Sequence, residues 1–402
     1  MGLNETPQRQ PAWFLALFAL AVAGGTIAYV PLLTVLLPLR IAAISGGEDV
    51  AGLSLVTFLG AIVASIANIA FGMLSDRTGS RIPWIVGGLV ISSALLVAIG
   101  EARTLGEAIV LVMLWQAGLN MMLGPLVAWA GDCFPDSQKG VLGGALALAP
   151  AMGALSGSLV TFEGWIEPVD RLTWVAGIVV ALVVPALLAG RGRRRAALMR
   201  ADAATERMHE EAPRRQRSLV ARMWIARFLV QIAEAGLFAF LLFWLRSLDP
   251  DFHENTAANI FSAVLVVSVP LTIAIGRWSD RRVRPILPLA ASAAGAAAGL
   301  LAMAFAGGMG SAIAGYVVFG ISASIFLSLH TAQTLRVLPQ PRHRGRDLGI
   351  FNLTNTAPSM VMPWLTLALV PGFGFTGLFV LFAALAMLAA VLLAAISQPA
   401  AR

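Results

Sequence analysis

Long apolar runs, each of about 20 residues or more and broken by short polar stretches, follow one another along almost the whole chain. Twelve can be drawn, over 13–39, 51–74, 83–100, 106–130, 141–161, 172–190, 222–245, 257–276, 285–306, 309–334, 348–370 and 374–396. A run of that length crosses the hydrocarbon core of a bilayer as one helix, and the longer ones leave room for tilt. In lipid, backbone N–H and C=O groups find partners only inside a helix or a closed barrel. The runs lack the period-two alternation of barrel strands. The pattern therefore predicts an all-α integral membrane protein with twelve transmembrane helices. Composition agrees: 58% of residues are hydrophobic and 12% charged, and mean hydropathy is +0.82. A soluble protein is about 45–50% apolar and 25% charged.

The charges then orient the spans. Most of the 28 basic residues fall on alternate polar segments, on the side that includes the N-terminal tail and the long central stretch. Only Arg40, Arg103, Arg171 and Arg246 fall on the other side, and Arg227 lies within a run. Lysine and arginine collect on the cytoplasmic side of membrane proteins. This predicts an even number of spans with both termini cytoplasmic. The net charge of +7 is thus a topology signal and not a nucleic-acid patch, so no nucleic-acid partner is expected; the surroundings are membrane lipid. With one cysteine, Cys133, no internal disulfide can form. The first run has no signal-peptidase pattern and reads as a retained helix. Abundant alanine and a single lysine, Lys139, suit a GC-rich bacterial genome; the expected location is a bacterial inner (plasma) membrane.

The polar stretch 191–220 divides the chain into an N-terminal six-helix bundle, 1–190, and a C-terminal one, 221–402. It reads as a cytoplasmic linker. Two phrases make the halves look like repeats. FGMLSDRTGSR, 71–81, follows the second run, and IGRWSDRRVR, 275–284, follows the eighth. After the fourth and tenth runs come FPDSQKGVLGG, 134–144, and LPQPRHRGRDLG, 338–349, at nearly the same separation. Two parallel repeats, related as the halves of many transporters are, give this arrangement.

FGMLSDRTGSR resembles the loop signature of the major facilitator superfamily through Gly72, Ser75, Asp76, Arg77, Gly79 and Arg81, and IGRWSDRRVR resembles its degenerate second copy with Asp280 and Arg281. The resemblance implies two pseudo-symmetric six-helix bundles that carry a small solute by alternating access. It also implies that Gly72, Asp76, Arg77, Arg81, Asp280 and Arg281 form a cytoplasmic gate that must break as the halves rock. On physical grounds, Gly72 permits close helix approach. Asp76, at a helix end, can pair with arginine or cap the next helix.

Ionisable groups inside a membrane mark functional sites. The first half has none deep in a run. The second has Arg227 and Glu234 in the seventh run and His330 in the tenth. Arg227, Gln231 and Glu234 share one helix face by spacing. A buried carboxyl suits proton uptake and release, so Glu234, with Arg227 and His330, is the candidate coupling group. Neutral polar groups suited to cargo are Tyr29, Gln116, Asn120, Gln231, Gln333, Asn352 and Asn355. Amide pairs also serve as glue between helices. Phe238, Phe240, Phe243 and Trp244 offer rings that could stack on a sugar or face lipid.

Two segments, MMLGPLVAWAGDCFPDSQKG and GRDLGIFNLTNTAPSMVMPW, are similar to those of the glycoside–cation and sucrose-type symporters. That resemblance implies proton-coupled uptake of a sugar or glycoside, with no cofactor besides the proton and no obligate protein partner. Sodium-coupled relatives carry acids in the second span, and this chain has none there. The alternative transporter is a proton-coupled exporter of lipophilic drugs or metabolites. Its pattern is incomplete here, since Met113 stands where such exporters carry arginine. A non-transporting receptor or scaffold is the alternative outside transport. No nucleophile constellation, metal cluster or phosphate loop points to an enzyme.

Overall fold

The computed structural model describes residues 10–396 apart from 48, 135–137, 139–141, 143–144, 147, 191–213, 281–285 and 338–343. Inside helices, the side chains of 131, 214–220, 276–277, 279–280, 331–337, 344–353 and 355–356 are also outside the described set. Every regular element among the described residues is helical. In chain order these are α1 (Ala12–Pro31), α2 (Leu37–Ser45), α3 (Val50–Arg77), α4 (Ile82–Gly100), α5 (Leu105–Cys133), α6 (Ala149–Val160), α7 (Arg171–Gly190), α8 (Arg214–Leu248), α9 (Glu254–Asp280), α10 (Leu287–Ala304), α11 (Met309–Val337) and α12 (Arg344–Ala394).

Ten stretches are long and apolar enough to cross a membrane, which describes a multi-pass membrane protein. The count differs from twelve in two places. The fifth apolar run is described as helix only over Ala149–Val160, twelve residues. The last two runs sit inside one helical element, interrupted at Gly374 with φ 61 and ψ −170. That backbone region is open almost only to glycine. The chain reverses there. A Cβ on Gly236 of α8 would lie 3.3 Å from Met362 Cγ and 2.5 Å from Phe382 Cε2. On one straight helix those two residues would be about 30 Å apart.

Local sequence explains other ends. Thr104 caps α5, accepting from the Glu107 N–H at 3.2 Å, while Glu107 reaches back to the Arg103 N–H at 2.7 Å. This is a variant of the capping box of a Thr-x-x-Glu phrase, in which the glutamate takes the N–H of the residue before the N-cap. Asp49 accepts from the Gly52 N–H at 2.7 Å at the start of α3. Between Pro31 and Pro38 the backbone makes one π-helical turn, Leu32–Leu36; proline removes a donor from the ladder and loosens it.

The chain divides into two compact units. One is Met1–Leu32 with Ile62–Arg207, and the other is Leu33–Ala61 with Met208–Arg402. In the first, α1 packs on α6 and α7, and α4 on α5 and α7. In the second, α8 packs on α11 and α12, and α10 on α11 and α12. This unit also holds α2, which touches α8, and Phe58, whose ring meets Trp364 edge-on at 5.3 Å.

Glycine sets the tightest crossing in each unit. A Cβ on Gly88 of α4 would lie 2.8 Å from the Gly118 carbonyl oxygen of α5. A Cβ on Gly299 of α10 would lie 2.8 Å from the Gly315 carbonyl oxygen of α11. Lipid tails are as apolar as the side chains, so helices associate in a membrane by such close approach.

Candidate functional site

The FGMLSDRTGSR phrase forms the end of α3 and the turn into α4. The turn depends on Gly79, whose φ is +64. Its N–H returns to the Asp76 carbonyl at 3.1 Å. Arg81, the next arginine after the turn, gathers the polar groups. Its guanidinium meets Asp76 Oδ1 at 2.5 Å, Ser75 Oγ at 2.6 Å and Asp132 Oδ2 at 3.2 Å. Ser75 is fully buried, and the Arg81 and Asp132 side chains are about one-tenth exposed. Asp76 is 64% exposed, so the inner half of this network is the Arg81–Asp132 pair.

Three expectations change in detail. Asp76 pairs with Arg81, but it does not cap α4, whose N-cap, Arg81, has no side-chain cap bond. The close approach belongs to Gly124, not Gly72. A Cβ on Gly72 would meet open space, whereas one on Gly124 would lie 3.3 Å from the Asn68 carbonyl oxygen and 3.8 Å from the Gly72 nitrogen. Arg77 is exposed. Of the second copy, Arg281 and the Asp280 side chain lie outside the described residues. Asp132 was missed by the sequence reading. Its available signal was a lone acid closing a span, in AWAGDC.

In the second unit, α8 carries the intramembrane charges. Arg227, Gln231 and Glu234 fall on one face, and Gln231 Nε2 donates to Glu234 Oε2 at 3.3 Å. Gln231 and Glu234 are half-buried, while Arg227 is buried. Arg227 Nη1 donates to the Leu327 carbonyl of α11 at 3.3 Å. Tyr316, also on α11 and buried, lies within electrostatic reach of Glu234. It too went unremarked in the sequence, although it is one of only two tyrosines. His330 is fully buried; its Nε2 meets the Met223 carbonyl at 2.7 Å, which fixes the proton on that nitrogen. Its ring leans on Phe326, with centroids 5.5 Å apart. His330 thus joins α11 to α8.

The neutral candidates divide. Asn120 accepts from Asn68 Nδ2 at 3.1 Å and donates to the Gln116 carbonyl at 2.9 Å. It ties α5 to α3, as amide pairs do between membrane helices. Gln116 and Tyr29 are half-buried. The side chains of Gln333, Asn352 and Asn355 lie outside the described residues. The aromatic run of α8 is core: Phe240, Phe243 and Trp244 are buried, with Trp244 edge-on to Phe379 at 4.9 Å. Among the described residues, no group of three or more His, Cys, Asp or Glu could hold a metal ion.

Comparison with known proteins adds to this geometry. Residues 223–402 match the family model described as Major Facilitator Superfamily. Two uncharacterised MFS-type transporters of Mycobacterium tuberculosis, from strains CDC 1551 / Oshkosh and ATCC 25618 / H37Rv, are 27% identical over 306 residues. The match covers 72% of this chain and 64% of those relatives. The chain therefore matches somewhat less than two thirds of their length. Among solved structures, a peptide transporter POT in complex with alafosfalin has a TM-score of 0.73 at 14% identity, over 98% of this chain and 95% of that one. A bacterial homolog of the human lysosomal transporter Spinster, inward-facing and unoccupied, has a TM-score of 0.69 at 14% identity, over 97% and 99%. A POT family transporter in complex with 5-aminolevulinic acid has a TM-score of 0.70 at 14% identity, over 97% and 96%. The fold is shared with these transporters.

Proposed function

We propose that the protein is a secondary active transporter of the major facilitator superfamily, built from two six-helix bundles, 1–190 and 221–402, joined by a linker at 191–220. It works in a bacterial inner membrane with both termini cytoplasmic. Alternating access moves a small solute, and proton exchange at Glu234 drives it. The Arg227–Gln231–Glu234 face carries this reading. A carboxyl in the middle of an apolar span costs about 2.5–3.5 kcal/mol to insert when charged, so it is retained for a task. Gln231 holds the carboxyl in place, and Arg227 supplies compensating charge on the same face. The Arg81–Asp132 pair, with Asp76, is the cytoplasmic gate, formed in one state and broken in the other. No covalent chemistry is needed.

The cargo is a sugar or glycoside taken up with the proton. One observation favours a second reading, export of lipophilic compounds. Asn120, a candidate to bind hydroxyl groups, is committed to Asn68 and Gln116, which leaves fewer polar contacts for a sugar. Proteoliposomes with an imposed proton gradient distinguish the two. Uptake of a sugar or glycoside with the gradient, lost in Glu234→Gln, is the expected result. Gradient-driven efflux of lipophilic cations alone would select the exporter. Gradient-driven flux that persists unchanged in Glu234→Gln would remove Glu234 from coupling.

A further inference from the structure

The segment leading into α1 is fastened to the end of α5 by side-chain amides. The Gln10 N–H donates to Gln138 Oε1 at 2.8 Å, and Gln138 Nε2 donates back to the Gln10 carbonyl at 2.8 Å. One amide side chain thus satisfies both backbone groups of a residue far away in sequence, as a neighbouring β-strand would. Gln10 in turn sends its own Nε2 to the Cys133 carbonyl at 2.9 Å. Cys133 is the last residue of α5, and its carbonyl is one of those a helix leaves without an internal partner. Gln10 is buried. Below it, Phe14 stacks on Phe134 at 5.4 Å, and Phe18 packs on both Phe134 and Trp129. These contacts hold the start of α1 against the end of α5 and the residue that follows it.

Asp132 is the residue beside Cys133. Its carboxylate takes Arg81 while lying at the negative end of the α5 dipole, where a carboxylate is disfavoured. The position of this last turn therefore decides whether Arg81 finds its partner. Gln10 and Gln138 fix that turn from the opposite side. The geometry points to Gln10 and Gln138 as positioning residues for the gate: the amide clasp holds the last turn of α5 so that Asp132 meets Arg81, and it opens when that pair breaks. This rests on the gate reading given above. In this inference the segment before α1 is a working part of the gate.

The chain supplies its own probe. Cys133 is the one cysteine of the protein and is fully buried. Its rate of reaction with N-ethylmaleimide, in the full-length protein in proteoliposomes, reads opening at the clasp without any cargo. Gln138→Ala and Gln10→Ala are expected to react about tenfold faster than the parent, since each removes hydrogen bonds from the closed state. Gln138→Glu keeps the acceptor and loses the donor, so an intermediate rate is expected; it also serves if Gln138→Ala fails to fold. Asp132→Asn should accelerate the thiol as well. In the Asp132→Asn background, Gln138→Ala should add little, because the clasp acts through the Asp132–Arg81 pair, which that variant has already lost. A merely structural clasp would show additive effects on the logarithm of the rate, and that outcome overturns the proposal. So would rates in Gln10→Ala and Gln138→Glu equal to the parent. A failure here leaves the transport reading standing, whereas a failed cargo and proton assay leaves the clasp standing.

Discussion

Arg81 and Glu234 stand in different parts of the chain, and their surroundings are opposite. Arg81 stands at helix ends with two carboxylates and a hydroxyl around it. Glu234 stands near the middle of Ala221–Leu248, a 28-residue apolar stretch, with an amide as its hydrogen-bond partner. The second copy of the loop phrase has Val283 and Pro285 where the first has Gly79 and Arg81. Valine resists the positive φ that the turn uses, and proline offers no guanidinium. The first half has no acid or base deep in any run to match Arg227 and Glu234. The two surroundings differ in kind: polar groups gathered at helix ends around Arg81, and a carboxyl within an apolar helix at Glu234. Asp76 at the edge is mostly exposed, so its share of the pairing can be made and broken at low cost, whereas the Arg81–Asp132 pair is largely shielded from water. A charge in the middle is costly whenever it is unpaired, which suits a group that exchanges a proton.

Six substitutions test that contrast. Glu234→Gln should have the largest functional effect: gradient-driven accumulation is lost while solute exchange persists, and the unfolding midpoint stays near the parent's. A matching loss of stability would make Glu234 a structural group and break the contrast. Arg81→Ala should cost about 3–5 kcal/mol in denaturant unfolding, because Asp132 stays buried without its cation. Arg81→Lys should recover part of this, since an ammonium keeps the charge but lacks the wide planar fork that reaches Asp76, Ser75 and Asp132 together. Gly299→Val and Gly88→Val should each cost about 1–3 kcal/mol, because the added carbons meet backbone atoms of the neighbouring helix. Comparable losses in the two halves would sharpen the case for a shared scaffold; a loss in one alone would weaken it. Asp76→Asn should change stability by less than about 1 kcal/mol, since that carboxylate is mostly exposed. A larger change would move the gate from Asp132 towards Asp76.

Much of the scaffold was legible because membrane helices declare themselves one at a time. Each run must satisfy its backbone internally, so length and hydropathy sufficed to locate α3, α4, α5 and the rest. The motif around Gly79 and the face shared by Arg227, Gln231 and Glu234 were also local, set by a turn and by helical spacing. Asp132 was not legible as the partner of Arg81. The two are 51 residues apart, and an acid at the end of a run looks like any other boundary residue. The Asn68 side chain against Asn120, 52 residues away, was not legible. The partner of His330, the Met223 carbonyl 107 residues away, was not legible either.

The sequence by itself located most of the long apolar helices, the turn at Gly79 and the residues able to carry charge into an apolar helix. These follow from short-range rules: backbone satisfaction in lipid, turn geometry and the cost of a buried charge. Only the tertiary structure decided which polar groups are spent on one another. Gln10 closes on Gln138 across 128 residues, Arg81 on Asp132, and Asn68 on Asn120. It also turned the last helical element back at Gly374 and set Leu33–Ala61 with the second unit. In each case the deciding contact is between groups distant in the chain, and a hydrogen bond inside a membrane protein depends on which partner the packing brings within about 3 Å.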